Sequence, residues 1–251
     1  MLTEIHKKRF NQNGWVKIKG FFSKKEIQSI NDKINLFLKK NLKKYEGRDI
    51  NFSKEDVKLN EINSFHKLSD AKWLKLLAKK KKIKNLSKYF IGSKKPELRA
   101  CELFAKPAKI GLAAPIHQDN FYWCVKDDKA ITAWVAIDDC TKKNGAIFYY
   151  NGSHKLGVVE HEPSHQKGSS QKIKKIQKYK KYKIETPNLK TGDCLVHHCL
   201  VMHGSTKNIS EKSRRGFTFQ FKDSNSKYDL KKKKSYEKAL KKQVQKRKNY
   251  N

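Results

Sequence analysis

The chain has 251 residues, a length that suits one large all-β or α+β domain or two small ones. Hydrophobic residues make up 37% of it, enough for a core, but no apolar run approaches the roughly 18 residues that span a membrane. The first eight residues lack the apolar segment of a secretory signal, and the five cysteines show no CxxC spacing. These features predict a cytoplasmic globular protein with reduced thiols.

The formal net charge of +35 invites a nucleic-acid-binding interpretation. Nearly all of the positive charge is lysine, however, whereas recognition of phosphates and bases favours the planar fork of arginine. The lysines are also spread along the whole chain. We therefore favour a solvated lysine-rich surface over a dedicated polyanion site, and expect no specific nucleic-acid partner.

The first 96 residues are predicted to be rich in helix. Residues 10–22 contain an Asn-Gly turn followed by a short strand, and residues 23–26 (Ser-Lys-Lys-Glu) form a capping box that opens a helix. The buried stripe of this helix is predicted to comprise Ile27, Ile30, Ile34 and Phe37. The lysine run at 79–82 is interpreted as a solvated helix end, with a phosphate-binding patch as the alternative.

Beyond Pro96 the pattern is typical of β-structure. Residues 98–104 and 130–139 are predicted strands, and residues 216–221 form a last strand with three phenylalanines on one face. Asn144-Gly145 is a hairpin signal, with residues 147–150 as the returning strand.

Two lysine-rich segments are harder to assign. Residues 157–182 are polar and contain Gly-Ser-Ser, which predicts a mobile loop that shapes a substrate pocket. After Ser226 the chain is rich in lysine to its end. Tyr236, Leu240 and Val244 would line one face of an amphipathic helix there, with a disordered segment as the alternative.

The chemistry-bearing stretch is His117-Gln118-Asp119. On a strand, residues i and i+2 project from one face, so the imidazole and the carboxylate can reach one point. Such a pair supplies two ligands of a two-His-one-carboxylate iron site, although a surface ion pair is the alternative. The third ligand would come from His197, His198 or His203. The first two point to opposite faces of a strand, so both cannot bind one metal, and a lone strand histidine can also be a core residue.

The motifs, taken together in order and spacing, resemble the phytanoyl-CoA dioxygenase family over most of the chain. The matching stretches are His117-Gln118-Asp119, Tyr122-Trp123, Thr132-x-Trp134, Asn144-Gly145-Ala146, Gly152-Ser153-His154-Lys155, Gly192-Asp193 and His203-Gly204-Ser205-x-x-Asn208-x-Ser210-x-x-x-Arg214-Arg215. Residues 10–26 also look like the opening of that family.

The resemblance implies a non-haem Fe(II)- and 2-oxoglutarate-dependent dioxygenase on a double-stranded β-helix, a mainly β jelly roll with flanking helices. His117, Asp119 and His203 match its iron ligands. Family members with a small residue in place of the carboxylate are halogenases, so Asp119 implies hydroxylation. Succinate and CO2 would be coproducts, O2 the oxidant and ascorbate a supporting reductant.

The resemblance also implies a 2-oxoglutarate pocket. Arg214 matches the residue that clamps the distal carboxylate, while strand alternation sends Arg215 to the other face. Ser205, Trp134 and Lys106 match pocket-lining positions, with core packing as the alternative for Trp134 and a surface position for Lys106.

We therefore expect one dioxygenase domain over residues 1–226, with a helix-rich part at 1–96 and a β core at 97–226, followed by a lysine-rich tail at 227–251. Its substrate would be a small organic metabolite, with no membrane partner. The alternatives are a polyanion-binding protein on an inactive jelly roll, and an oxygenase that acts on a macromolecule.

Overall fold

The computed structural model describes residues 2–54, 58–166 and 169–248. The helices in this part of the chain are α1 Glu4–Asn13, α2 Lys24–Asn41, α3 Lys72–Ala78, α4 Lys81–Ile91, α5 Asp119–Trp123 and α6 Leu230–Lys248. The strands are β1 Trp15–Ile18, β2 Ile50–Phe52, β3 Ile62–Phe65, β4 Pro96–Ala100, β5 Leu103–Lys106, β6 Ala114–His117, β7 Ala130–Ala136, β8 Ile147–Tyr150, β9 His161–Gln166, β10 Ser169–Ile173, β11 Ile184–Glu185, β12 Cys194–His198, β13 His203–Ser205 and β14 Arg214–Asp223.

Two antiparallel sheets form the β core. The major sheet has the order β1-β12-β7-β14-β5-β3-β2, with β4 also paired to β14, and the minor sheet has the order β11-β8-β13-β6. Side chains from both sheets, among them Trp134 and Leu195 of the major sheet and Tyr149 of the minor sheet, meet in one buried cluster. This is the predicted jelly roll with flanking helices.

Strand alternation separates two environments on the major sheet. Phe217, Phe219 and Phe221 of β14 face outward into the core that α2, α3 and α4 cover, as the sequence predicts. The neighbouring residues of β14 (Arg214, Gly216, Thr218, Gln220 and Lys222) therefore face the inside of the jelly roll. Thr132 and Trp134 occupy the equivalent inner face of β7. The interior of the jelly roll accordingly contains polar and charged side chains as well as the apolar cluster around Trp134 and Leu195.

The predicted N-terminal elements are confirmed. Ser23 and Glu26 form the capping box of α2, with the Ser23 amide donating to Glu26 Oε2 at 2.7 Å. Leu38 completes the buried stripe, whereas Phe37 is only partly buried. Helix α1, which the sequence analysis did not identify, precedes β1, and the lysines at 79–82 are exposed at the junction of α3 and α4.

Two strand predictions were wrong in detail. Asn144-Gly145 does not close a hairpin, because β8 pairs with β11 and β13 of the minor sheet rather than with β7. The chain crosses between sheets there, through a 3-10 turn and Gly145 at φ 82°. The predicted strand at 98–104 is broken after Ala100 into β4 and β5, and the Cys101 amide at the break donates to Ser69 Oγ.

The two lysine-rich segments are more ordered than the sequence indicates. Within 157–182, where the sequence predicts a loop, β9 and β10 pair as a hairpin, and a 3-10 turn follows at Ile176–Tyr179. Residues 167–168 lie outside the described residues. In helix α6 Tyr236 is partly buried and Leu240 is buried, which agrees with the amphipathic helix rather than with the disordered alternative. The side chain of Val244 and residues 249–251 lie outside the described part.

No described helix is both long enough and apolar enough to cross a bilayer. The five cysteines are all free and buried, as expected for reduced thiols.

Candidate active site

Neighbouring strands of the minor sheet bring two histidines together. His117 is the last residue of β6 and His203 the first residue of β13, and the two are cross-strand partners with ring centroids 4.4 Å apart. His203 does not lie on the strand that carries His197 and His198, because β12 ends at His198 and a turn over 199–202 carries the chain into the other sheet.

Asp119 reaches the same point from the turn after β6. Gln118 is extended, with φ −118° and ψ 132°, so His117 and Asp119 project to one side as predicted. Asp119 itself begins the short helix α5 rather than continuing the strand. The distances from Asp119 Oδ1 to His117 Nε2 and to His203 Nε2 are both 3.7 Å.

Both imidazoles are oriented by the backbone. His117 Nδ1 lies 2.8 Å from the Pro115 carbonyl, and His203 Nδ1 lies 3.0 Å from the Val201 carbonyl. A carbonyl can only accept, so each Nδ1 carries the proton and each Nε2 presents a lone pair to the centre. One ligand atom from each of the three residues lies within 4.8 Å of the others, a group that could hold a metal ion.

The second carboxylate oxygen of Asp119 is occupied by the protein. Thr132 Oγ1 donates to Oδ2 at 2.7 Å, and His197 Nε2 lies 3.1 Å from the same oxygen. His197 Nδ1 is in turn 3.0 Å from the Tyr149 hydroxyl. The sequence analysis missed this supporting role of His197. The pairing of His197 with Thr132 across β12 and β7 creates it, and a single sequence does not reveal that register.

The protonation states suit metal binding. Burial lowers the pKa of His203 to about 3 and also lowers that of His117. Burial alone would raise the pKa of Asp119, but the hydrogen bond from His197 and the nearby imidazoles hold it well below its usual range. Two neutral imidazoles and one carboxylate therefore face each other at neutral pH, the forms that coordinate a cation.

Arg214 lies inside the jelly roll and Arg215 outside it, as alternation predicts. The buried Arg214 donates from Nε and Nη2 to the Gly145 carbonyl at 3.2 and 3.0 Å, and its guanidinium carbon lies 5.4 Å from the centre of the Trp134 ring. Arg215 pairs with Asp138 through Nε and Nη2 at 2.9 and 2.8 Å. Of these two arginines, only Arg214 is therefore placed to meet a ligand inside the fold.

Lys106 faces Arg214 directly across β5 and β14. It is only 3% exposed, so the surface alternative was wrong, and its ammonium donates to the Leu112 carbonyl. Burial, with a smaller contribution from Arg214, lowers its pKa to about 6. Trp134 is buried beside this pair, and Ser205 is buried two residues beyond His203 on the same side of β13.

An aromatic wall adjoins the three candidate ligands. The Tyr122 ring is 5.7 Å from His117, and Phe121 stacks on His161 of β9 at 4.1 Å. Tyr236 of α6 packs against Tyr122 at 5.6 Å. The buried Gln118 joins the hairpin segment to this wall, since its amide donates to the Gly157 and Leu200 carbonyls and accepts from the Val159 amide. The sequence analysis did not identify Gln118 or His161 as residues of this site, and it did not predict that Tyr236 packs against Tyr122.

The sequence model of the phytanoyl-CoA dioxygenase (PhyH) family matches residues 10–216. The chain belongs to the phytanoyl-CoA dioxygenase family. The match includes His117, Asp119, His203 and Arg214, the residues that the fold assembles from separate strands. Membership identifies the chain as an iron- and 2-oxoglutarate-dependent oxygenase.

Known phytanoyl-CoA dioxygenases match most of this chain at low sequence identity. The human peroxisomal phytanoyl-CoA dioxygenase is 26% identical over 239 residues, which cover 91% of this chain and 70% of the human protein. A probable phytanoyl-CoA dioxygenase of Caenorhabditis elegans is 25% identical over 238 residues, covering 88% of this chain and 75% of the relative.

Solved structures of other oxygenases share the fold. EctD from S. alaskensis with bound Fe superimposes with a TM-score of 0.73 at 19% identity, covering 91% of this chain and 79% of EctD. The alpha-ketoglutarate-dependent carbocyclase SnoK from nogalamycin biosynthesis gives a TM-score of 0.70 at 20% identity, covering 90% of this chain and 86% of SnoK. A carbocyclase and the phytanoyl-CoA dioxygenases therefore share this fold, so the fold leaves the substrate open.

Proposed function

We propose that this chain hydroxylates a small organic metabolite, with succinate and CO2 as coproducts. Iron would be held by His117, Asp119 and His203, and 2-oxoglutarate by Arg214 with help from the other pocket residues. Cytoplasmic location stays a prediction, since the human relative is named as peroxisomal. The division into a domain at 1–226 and a tail at 227–251 stays a prediction as well.

The donor set fits Fe(II). Two imidazole nitrogens and one carboxylate oxygen on one side of the metal are the ligands of the facial triad, which leaves the opposite positions open. Because Asp119 Oδ2 is bound by Thr132 and His197, only Oδ1 is free to coordinate. Single-oxygen coordination by Asp119 would keep those positions open for 2-oxoglutarate and O2.

The cation pair fits the distal carboxylate of 2-oxoglutarate, and it is the observation that carries this part of the proposal. Lys106 and Arg214 are both 3% exposed and directly opposite each other. Their nitrogens donate to the Leu112 and Gly145 carbonyls, and neither forms an ion pair with an acid among the described residues. Without a counter-ion, burial and Arg214 lower the pKa of Lys106 to about 6, and an anion that joins the pair would stabilise the charged forms of both side chains.

Bound iron and 2-oxoglutarate together supply an oxidant that inserts one oxygen atom of O2 into a substrate C–H bond. The protein fixes the geometry of that chemistry. The Pro115 and Val201 carbonyls hold both imidazoles in one tautomer, and Trp134 supports Arg214 and keeps water from the clamp. Ser205 would contribute a hydroxyl to the same carboxylate.

The carboxylate of Asp119 favours hydroxylation over halogenation. A halide needs a metal position that a carboxylate would otherwise fill. Here the carboxylate is present and is held by two hydrogen bonds, from Thr132 and His197. The oxygen atom is therefore expected to be transferred to the substrate.

The macromolecular alternative has less support. The jelly-roll interior next to Asp119 is enclosed by the aromatic wall of α5, the β9–β10 hairpin and α6, which suits a small molecule. The lysine-rich surface does not require a polyanion partner, and no specific nucleic acid is proposed. We also propose that the segment at 157–182, through His161, shapes the substrate pocket.

Succinate formation tests the proposal. Purified protein with Fe(II), 2-oxoglutarate and ascorbate should release succinate, and a metabolite screen should identify compounds that stimulate the release. His117→Ala should abolish it, whereas His198→Gln, on the opposite face of β12, should retain it. Wild-type protein that binds no iron, or His117→Ala protein that keeps full turnover, would refute the enzyme assignment.

A further inference from the structure

A second polar group lines the interior of the jelly roll, at the end of β14 opposite the Lys106–Arg214 pair. It consists of Arg99 of β4, Glu102 at the break between β4 and β5, Gln220 of β14 and His66 after β3, and we call it the Gln220 cluster. Neither the proposed iron site nor the 2-oxoglutarate pocket uses these residues.

The break between β4 and β5 creates this cluster. Arg99 and Glu102 are three residues apart, so in an unbroken strand their side chains would point to opposite faces. The Glu102 amide instead donates to Thr218 Oγ1 at 3.1 Å, and the Thr218 amide donates to the Glu102 carbonyl at 2.8 Å. With the backbone held in this way, both charged side chains reach Gln220.

Gln220 holds the two charges apart. Its amide oxygen accepts from Arg99 Nη1 at 2.6 Å, and its amide nitrogen donates to Glu102 Oε2 at 2.7 Å. His66 Nδ1 lies 3.3 Å from the other oxygen of Glu102. Arg99 rests on the Trp123 ring at 4.6 Å, and no carboxylate of the described residues forms an ion pair with it. The guanidinium therefore keeps donors for another acceptor.

A neighbouring pair of charged residues on the same two strands forms an ordinary structural ion pair. Two residues further along β14, Lys222 forms a direct ion pair with Glu97 at 2.8 Å. Arg99 and Glu102 could have been neutralised in this way, but an amide separates them. Glu102 and His66 also keep 17% and 26% of their side chains exposed, so a ligand can reach them.

The cluster adjoins the candidate iron ligands. Gln220 is the direct cross-strand partner of Thr132, which places their side chains about 5 Å apart on the inner face. Thr132 donates to Asp119 Oδ2, and Trp123 under Arg99 belongs to the helix that Asp119 begins. A small molecule held by the cluster would thus lie beside the metal position.

We propose that the Gln220 cluster binds the substrate, and that this substrate is a zwitterionic small molecule with an oxyanion for Arg99 and a cationic nitrogen for Glu102. This inference rests on the proposed function. Gln220 sets the spacing between the two charges, and Phe104, whose ring lies 5.8 Å from that of His66, supplies an apolar surface beside them.

The test uses the complete chain loaded with Fe(II) and 2-oxoglutarate. The probes are free α- and ω-amino acids, each with its primary amide, which lacks the anion, and its N-acetyl derivative, which lacks the cation. Two readouts are taken: the change that each probe makes in the visible charge-transfer band of the anaerobic iron and 2-oxoglutarate complex, and stimulated succinate release. The charge-transfer band measured without any probe tests the proposed function separately, because it depends only on the binding of iron and 2-oxoglutarate.

We expect free amino acids to perturb the band and to stimulate succinate release. The KM of the amide and that of the N-acetyl derivative should each be at least about tenfold higher than the KM of the free amino acid, because each derivative loses one charge-assisted contact. Arg99→Gln should remove the preference for the free amino acid over its primary amide, and Arg99→Lys should restore part of that preference. Glu102→Gln should remove the preference for free over acetylated amine. The matched controls Arg215→Gln and Glu97→Gln should keep both preferences.

Three results would overturn the assignment. The first is an intact band that no zwitterion perturbs. The second is equal stimulation by amino acids and their neutralised derivatives. The third is unchanged discrimination in Arg99→Gln and Glu102→Gln proteins that retain the probe-free band and so are folded. Loss of the band in the wild-type protein would instead refute the proposed function.

Discussion

Lys106 and Arg214 lie directly opposite each other on β5 and β14, with both side chains buried. Two positive charges in these positions would destabilise the sheet, and burial together with Arg214 accordingly lowers the pKa of Lys106 to about 6. Their ammonium and guanidinium groups contact backbone carbonyls rather than carboxylates. The arrangement is explained if the missing negative charge arrives with 2-oxoglutarate.

Replacing Arg214 by methionine should weaken 2-oxoglutarate binding by roughly 10- to 100-fold, because hydrogen bonds to a charged group contribute on the order of 1.5–3 kcal/mol. The dissociation constant can be measured by titrating 2-oxoglutarate into the anaerobic Fe(II) protein. Arg215→Met is the control, since Arg215 pairs with Asp138 on the other face. Equal losses in the two variants would argue against the clamp.

The lowered pKa of Lys106 predicts a pH-dependent stability. In the ligand-free folded protein the pKa of Lys106 is about 6, against 10.5 for an unperturbed lysine. Between about pH 6 and pH 10.5 Lys106 is therefore protonated in the unfolded chain but not in the folded protein. The free energy of unfolding should therefore rise with pH from about 6, by at most about 1.4 kcal/mol per pH unit. Below about pH 6 both states are protonated and this contribution to the slope disappears.

Denaturant titrations of wild type and Lys106→Met between about pH 6.5 and 8.5 measure this effect, and the thiols, which begin to titrate in the unfolded chain near the upper limit, contribute equally to both proteins. The variant should show a smaller slope. Saturating 2-oxoglutarate should also reduce the slope of the wild type, because a carboxylate beside Lys106 favours its charged form. Parallel curves for the two ligand-free proteins would contradict the pKa assignment.

His197 should tune iron binding without touching iron. Its hydrogen bond holds Asp119 Oδ2, and removing such outer partners typically lowers metal affinity 10- to 100-fold. We expect His197→Phe to weaken Fe(II) binding by roughly that factor, while His198→Gln leaves it near the wild-type value. Equilibrium Fe(II) titrations of both variants provide the comparison, and wild-type affinity in His197→Phe would show that the bond is dispensable.

Gly216 makes room for Trp134. A Cβ atom at position 216 would lie 2.1 Å and 2.2 Å from two carbons of the indole ring. Gly216→Ala should therefore destabilise the protein by about 1–3 kcal/mol through overpacking. Displacement of the indole should also raise the 2-oxoglutarate dissociation constant, because Arg214 lies over that ring. A variant with unchanged denaturation midpoint and unchanged binding would show that the ring can move freely.

Local patterns predicted those parts of the fold that depend on local physics. Alternation identified the phenylalanine face of β14 and separated Arg214 from Arg215, because strand geometry alone decides which face a side chain occupies. The capping box of α2 was equally visible, since both of its hydrogen bonds join residues three apart.

Features that depend on strand partners could not be predicted in the same way. Asn144-Gly145 has hairpin composition, but the choice between sheets is made by distant strands. The roles of His197 and Gln220 come from their register with Thr132, and that of Tyr236 from packing against α5. Nothing near these residues in the sequence encodes those contacts.

The most direct test of the central claim is an anaerobic titration of Fe(II) into the protein with saturating 2-oxoglutarate. It should be carried out on wild type, His203→Ala and the control His198→Gln. We predict that wild type and the control bind one Fe(II) per chain and develop the charge-transfer band, whereas His203→Ala does neither at the same concentrations. Iron binding and a band of equal strength in His203→Ala would contradict the assignment of His203, and with it the facial triad.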